Sequence, residues 1–140
     1  MDALAGGWLI IGDQVLDRTI PVQAPSEPAA VLFQEVLETT LNRVGRPGGI
    51  DYDWANTLDT EMTAAGLSDV DTAEFTRTTR GGTAGCLLYS NYVAQVDTPL
   101  RELGVPEPDL AEFHRLMRDP AFRARTATLM CTRGRQPGPG

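Results

Sequence analysis

The hydrophobic pattern begins with a compact apolar run at residues 8–11, which follows two glycines and precedes Gly12 and Asp13. A short apolar run between turn residues is typical of a buried strand in a parallel sheet. We therefore predict a strand over residues 8–12. Because both of its faces are apolar, we expect this strand to lie inside its sheet, with helices above and below.

Two later stretches have the two-residue period of strands. Residues 70–80 alternate and are rich in threonine, a residue that favours strands. Residues 126–133 place Ala127, Leu129 and Cys131 on one face and threonines with Met130 on the other. A sheet of three strands is thin, and it leaves the apolar strand at residues 8–12 short of neighbours.

Helical spacing of apolar residues predicts four helical segments, which are residues 26–45, 52–66, 83–104 and 109–118. Ser26 predicts the start of the first helix because a serine side chain caps free backbone N–H groups, and Gly45 predicts its end. Pro99 predicts a kink or break in the third. The predicted core face of that third helix consists of Leu88, Tyr92, Val96 and Leu100. Together, the strands and helices predict an α/β fold.

Composition and charge limit the classes of function. The chain has 140 residues and a net charge of −7, and duplex nucleic acid is a poor partner because such binding needs a basic face. No apolar run approaches the roughly 20 residues of a membrane helix, and no secretory leader is visible, so we predict a cytoplasmic protein that does not enter a membrane. Cys86 and Cys131 lack metal-ligand spacing, which predicts free thiols and no metal site. We predict one domain over residues 1–134 and a disordered tail over residues 135–140.

Three stretches together resemble class I S-adenosylmethionine-dependent methyltransferases. Residues 4–15 (LAGGWLIIGDQV) resemble the fifth strand of that family. In the family, a Leu-x-x-Gly-Gly turn enters a hydrophobic strand that ends in an acidic residue. The next helix and the sixth strand resemble residues 58–82 (LDTEMTAAGLSDVDTAEFTRTTRGG). The Asp-Pro-x-Phe helix and closing seventh strand of actinobacterial small-molecule members resemble residues 117–137 (MRDPAFRARTATLMCTRGRQP). The resemblance spans residues 4–137.

This resemblance implies a partial Rossmann-like methyltransferase sheet, with the seventh strand antiparallel between the fifth and the sixth in the order 5-7-6. The family binds S-adenosylmethionine in its first half, through a glycine-rich loop after a strand and an acidic residue that holds the ribose. This sequence contains no strand followed by Gly-x-Gly-x-Gly and no acidic residue about 20 positions further on. We therefore assign no cofactor-binding residue, and we expect S-adenosylmethionine to be bound mainly by a partner.

The bare edge of the strand at residues 8–12 predicts a protein partner, because an exposed apolar edge is an aggregation hazard that proteins cover. We expect either a separate N-terminal methyltransferase half or homologue, or a second copy of this chain across a two-fold axis. The leading hypothesis is one subunit of a split small-molecule methyltransferase of specialised metabolism, active only when a partner completes it. The alternatives are a non-catalytic scaffold or regulator of a complete methyltransferase, and a repurposed fold that acts as a cyclase or isomerase.

The resemblance places residues at the end of the first strand against the methyl acceptor. Asp13 is there a candidate general base or substrate anchor, and Gln14 a candidate hydrogen-bonding partner of the substrate. The alternative for Asp13 is a side chain that caps the following turn.

Four more residues are candidates. Tyr52 and Trp54 lie in a segment that often forms a lid over the acceptor in the family, so they are candidates for stacking on an aromatic substrate; the alternative is that Trp54 begins the core face of its helix. Asn91 is a candidate substrate-binding residue. His114, the single histidine, is a candidate catalytic residue, although a histidine on an apolar helix face is more often structural.

Overall fold

The computed structural model describes residues 6–16, 19–125 and 127–138. The chain divides into two compact units. Unit 1 comprises Met1–Asp17, Tyr52–Thr76 and Ala127–Gly140, and unit 2 comprises Arg18–Asp51 and Arg77–Thr126. Outside the described residues lie residues 1–5, Asp17, Arg18, Thr126 and residues 139–140. The start of the LAGG turn and the end of the predicted tail are among them.

The described residues form a mixed α/β structure, confirming the coarse prediction. The strands are β1 (Trp8–Val15), β2 (Ile20–Gln23), β3 (Ser68–Phe75), β4 (Thr78–Arg80), β5 (Arg123–Arg125) and β6 (Thr128–Arg135). The helices are α1 (Glu27–Glu38), α2 (Leu58–Ala64), α3 (Ala84–Gln95), α4 (Asp97–Glu102) and α5 (Glu107–Leu116). A π-helix (Thr39–Gly45) continues α1, and a 3₁₀ helix (Trp54–Thr57) precedes α2.

Unit 1 contains a three-stranded sheet in the order β1-β6-β3, in which β6 is antiparallel to both neighbours. Its register pairs Trp8 with Arg135 and Val15 with Thr128 on one side of β6, and Phe75 with Leu129 on the other. The last predicted strand is therefore confirmed, and it reaches Arg135, the first residue of the predicted tail.

One face of this sheet is covered. Val15 and Met130 form a buried cluster with Ala55 and Leu58, and Ile11 and Trp54 pack against that cluster. Two buried threonines of β6 complete the face through hydroxyl pairs: Thr132 with Thr72 of β3 at 2.8 Å, and Thr128 with Thr76, just after β3, at 3.0 Å. Pairing each hydroxyl with another satisfies polar atoms that would otherwise be costly to bury.

The other face of β1 is exposed, which corrects the prediction that the strand is buried on both sides. The side chains of Trp8 and Ile10 are solvent-exposed. An apolar run shows that a strand has a hydrophobic surface on each face, but it does not show that both faces are covered.

Unit 2 contains a second antiparallel sheet in the order β2-β5-β4. Both β2 and β5 were absent from the sequence prediction. Pro21 in β2 suggested a connecting loop, but the structure accommodates it beside a bulge on an edge strand, where a missing N–H breaks no ladder bond. The predicted strand at residues 70–80 is two strands, because the chain passes from unit 1 to unit 2 after Thr76.

The core of unit 2 is an aromatic cluster around Phe33 of α1. Its ring stacks on Phe113 at 5.9 Å, tilts against Phe122 at 4.9 Å and meets the edge of Tyr89 at 6.1 Å. The Ser26 hydroxyl accepts the N–H of Ala29 at 3.3 Å, so the predicted helix start is confirmed. The cap fixes the start of α1, and the aromatic cluster packs α1 against α3 and α5.

The predicted core face of the third helix is correct for Leu100, which is buried in α4, but wrong within α3. Cys86, Tyr89 and Val93 are buried, whereas Leu88 is exposed. Apolar residues surround this helix on nearly every side, so periodicity alone does not select the packed face. The expected break is present, but at Val96; Pro99 then lies in the first turn of α4, where a backbone N–H is not needed.

No helix within the described ranges is both long and apolar enough to cross a membrane.

We expect Phe33→Ala to lower the free energy of unfolding by about 3–5 kcal/mol, because it removes the ring shared by three aromatic contacts and leaves a cavity. Val31→Ala on the same helix is the matched control: this side chain is exposed, and a change within about 0.5 kcal/mol is expected. Urea unfolding followed by circular dichroism measures both. Equal losses in the two variants would contradict the assignment of the core.

Candidate functional site

Asp13 and Trp54 are brought together in unit 1, although 41 positions separate them in the sequence. The indole Nε1–H of Trp54 donates a hydrogen bond to Oδ2 of Asp13. The Trp54 ring also packs against the buried cluster of Val15 and Leu58. Trp54 therefore does two things: it is the first core residue of its helix, and it satisfies one oxygen of the predicted catalytic carboxylate.

Asp13 does not end its strand, which corrects the sequence prediction. The strand continues to Val15, and Asp13 pairs with Met130 inside the ladder. Glycine at position 12 leaves room for the side chain of Cys131, because a Cβ atom there would lie 3.1 Å from the sulfur. Glycine and aspartate are poor strand formers, but pairing with β6 outweighs this preference.

Gln14 and Tyr52 lie near the same end of β1. Gln14 is exposed and, as the next residue of a strand, points to the sheet face opposite Asp13. The backbone carbonyl of Tyr52 accepts the N–H of Leu16 at 3.3 Å, which fixes the entry of the predicted lid segment beside the end of β1. The substrate-binding roles of Gln14, Tyr52 and Trp54 remain predictions.

His114 and Asn91 belong to unit 2 rather than to unit 1. Nδ1 of His114 on α5 lies 2.6 Å from the hydroxyl oxygen of the buried Ser90 on α3. Burial lowers the pKa of His114 below its ordinary value of 6.5; the charge of Arg118 lowers it further, and Asp97 opposes the shift. The imidazole is therefore neutral at pH 7 and has one nitrogen engaged by Ser90.

Asn91 is the exposed neighbour of Ser90 on α3. Successive helix residues point about 100° apart, so the Ser90–His114 contact does not extend to Asn91. Ser90 could not be identified from the sequence, because a single serine within an apolar helix has no motif and only the packing of α3 on α5 reveals its partner.

Unit 2 has a surface cavity of 360 Å³ that sequence reasoning missed. Leu32, Val36 and Val105 give it an apolar wall, and Thr39 and Arg43 of the π-helix also line it. π-helical turns are rare and recur at functional sites. None of the predicted site residues lines this cavity.

The cysteines do not form a metal centre with their surroundings. Among the residues that the structure describes, no group of three or more histidine, cysteine, aspartate or glutamate side chains could hold a metal ion. Burial raises the pKa of the Cys86 thiol, and a hydrogen bond with Thr79 only partly offsets that shift. Cys86 therefore remains a protonated, unreactive thiol at neutral pH.

Lowering the pH below about 6.5 should reduce the stability of the protein through His114. Its folded pKa is lowered, so the unfolded chain binds a proton that the folded chain does not. This contribution is present above the unfolded pKa and is lost as the pH falls through the folded pKa. Because His114 is the single histidine, its NMR titration needs no assignment. His114→Gln should flatten the pH dependence of unfolding over the same window; an unchanged slope would contradict this origin.

Trp54→Phe should destabilise the protein by about 1.5–3 kcal/mol, because it keeps an aromatic ring, although a smaller one, and removes the N–H that donates to Asp13. Asp13→Ala removes the acceptor on the other side, and the double variant closes a thermodynamic cycle. We expect the two losses to be clearly non-additive in chemical denaturation. Additive losses would show that the hydrogen bond contributes nothing to stability.

Comparison with known proteins leaves the function to be argued from this geometry. No protein-family model matches the chain, and no curated protein matches it.

Proposed function

We propose that this chain supplies the methyl-acceptor part of an S-adenosylmethionine-dependent small-molecule methyltransferase, and that a partner supplies most of the cofactor site. One observation carries the proposal: in unit 1, β6 lies antiparallel between β1 and β3. This order and these directions are those that the family resemblance implies for its fifth, seventh and sixth strands.

The three stretches that carry the resemblance contain the three strands of this sheet, and two of them also contain β4 and β5 of the sheet in unit 2. Residues 4–15 contain β1, residues 58–82 contain α2 and β3, and residues 117–137 contain β6. A chance resemblance in three separate stretches would not require them to pair with one another in this order. The agreement between sequence motifs and strand pairing therefore supports a methyltransferase-like sheet.

The cofactor itself does not fit the residues of this chain. The sequence has no glycine-rich loop after a strand and no acidic residue about 20 positions beyond one to hold a ribose. We therefore assign no S-adenosylmethionine contact to this chain.

The contribution of unit 1 is positional. Methyl transfer depends largely on holding the acceptor atom in line with the methyl donor. The hydrogen bond from Trp54 to Asp13 orients an aromatic ring and a carboxylate beside the last residues of β1. This pair is suited to hold a flat acceptor molecule, with His114 as a second, separate candidate in unit 2.

The edge of β1 is where we propose the cofactor-binding part attaches. Within the described residues, β1 pairs on one side only, with β6. Its unpaired amides and carbonyls can accept another strand, and apolar strands with such an edge are covered in working proteins.

The test compares the chain alone with the chain mixed with a candidate partner. Calorimetry should detect no S-adenosylmethionine binding by the chain alone. A methyltransferase N-terminal segment encoded beside this gene is the candidate partner, and the mixture should bind S-adenosylmethionine. Hydrogen exchange of the alternate β1 amides that do not pair with β6 should slow at least tenfold in the complex, and the amides of β3 serve as the unchanged control.

Three results would overturn the proposal. Binding of S-adenosylmethionine by the chain alone would show that the chain carries its own cofactor site. Protection of β1 by self-association, without cofactor binding, would identify a second copy as the partner. If the chain binds a complete methyltransferase and only modulates the activity of that enzyme, the chain is a regulator.

A further inference from the structure

The face of the unit 1 sheet opposite α2 carries its own set of side chains, which we name the open sheet face. Its large apolar side chains are those of Trp8, Ile10, Phe75 and Leu129, and the register adds Cys131, Gln14, Asp71, Arg133 and Arg135. The strand register places them together, since Ile10 pairs with Arg133 and Leu129 pairs with Phe75. Cross-strand partners point to the same face of a sheet.

This face combines exposed apolar side chains with arginines. On β6 the covered side presents Thr128, Met130 and Thr132, whereas the open side presents Leu129 and Cys131 followed by Arg133 and Arg135. The exposed fractions on the open side are 67% for Ile10, 58% for Phe75, 47% for Trp8 and 39% for Leu129. A solvated sheet face normally carries polar residues, so a contiguous apolar face indicates an interaction surface.

Arginine stands at the centre of this face. The guanidinium of Arg133 lies 5.1 Å from the ring centroid of Trp8. Its contact with Asp71 is long, at 3.9 Å, and both side chains are largely exposed, so little of its charge is neutralised. Arg135 follows on the same side of β6. Two arginines against the single carboxylate of Asp71 leave this face with a net positive charge, in a chain whose net charge is −7.

These features select one kind of partner. Outer strands of a three-stranded sheet lie about 10 Å apart, which is about the diameter of one α-helix with its side chains. Two copies packed face to face with parallel central strands would bring their arginines together, which disfavours that arrangement of a second copy. We propose that the open sheet face binds an amphipathic α-helix of a partner protein, with its apolar stripe on Ile10 and Phe75 and its carboxylates at Arg133.

This inference does not depend on the proposed function. The cofactor-binding part would pair with β1 through backbone groups at the strand edge, whereas the helix would contact side chains on the face. Either can be right without the other, and the two are tested with different probes.

The probes are two synthetic helical peptides with the same leucine stripe, one flanked by glutamates and one by lysines. The readout is the rate at which iodoacetamide alkylates Cys131, which lies on the open sheet face and is partly exposed. Cys86 is fully buried and serves as the internal control. At saturation the glutamate peptide should slow alkylation of Cys131 at least tenfold and should bind at least tenfold more tightly than the lysine peptide. General attraction to a chain of charge −7 would give the opposite order.

Variants separate the face from the rest of the surface. Ile10→Glu should abolish binding of the glutamate peptide, and Arg133→Glu should reverse the preference between the two peptides. Val31→Glu replaces a comparably exposed apolar residue of unit 2, and it should leave binding unchanged. Circular dichroism checks that each variant is folded.

Several outcomes would overturn the inference. They are equal binding of both peptides, no binding of either, or an unchanged preference in Arg133→Glu. A dimer in sedimentation that Ile10→Glu dissociates would show that a second copy occupies the face. Binding to phosphatidylcholine vesicles that Ile10→Glu abolishes would show a lipid surface instead.

Discussion

One segment, residues 123–135, supplies the middle strand of both sheets. β5 lies between β2 and β4, and β6 lies between β1 and β3. Within the described residues, the outer strands of each sheet pair only with that middle strand. Single strands are not stable in water, so both sheets depend on hydrogen bonds to this segment. Its side chains are constrained accordingly: a Cβ atom at Gly134 would lie 2.8 Å from Leu67, so the middle strand admits no larger residue there without a shift.

Features that depend on neighbouring residues could be predicted from the sequence. Ser26 caps α1 through a contact three residues away, and β1 has enough adjacent apolar residues to identify a strand. Features that depend on packing between distant residues could not be predicted from the sequence. The packed face of α3 depends on Phe33, which lies far away in sequence. β2 is short and contains Pro21, and β5 is too short and too polar to show a period of its own.

The residues of the candidate site show the same difference between local and distant contacts. Sequence reasoning selected Asp13 and Trp54 separately, and the structure joins them by a hydrogen bond that no local pattern contains. It selected His114 for its chemistry but missed Ser90, because a helix-to-helix contact leaves no spacing signal. It also placed Asp13 beyond the strand, since the weak strand propensity of Gly12 and Asp13 hid the ladder that β6 imposes. Residue types thus indicated where chemistry is available, and pairing determined what each group contacts.

The position of the middle strands has a consequence for the chain as it is made. Residues 123–135 are translated after all four outer strands, so those strands leave the ribosome before any partner exists for them. During that interval the apolar residues of β1 have neither a ladder nor a covered face, the condition in which nascent chains associate with one another. The rate at which the final segment is delivered, together with chaperones that shield β1 in the meantime, would then control how much folded protein a cell obtains.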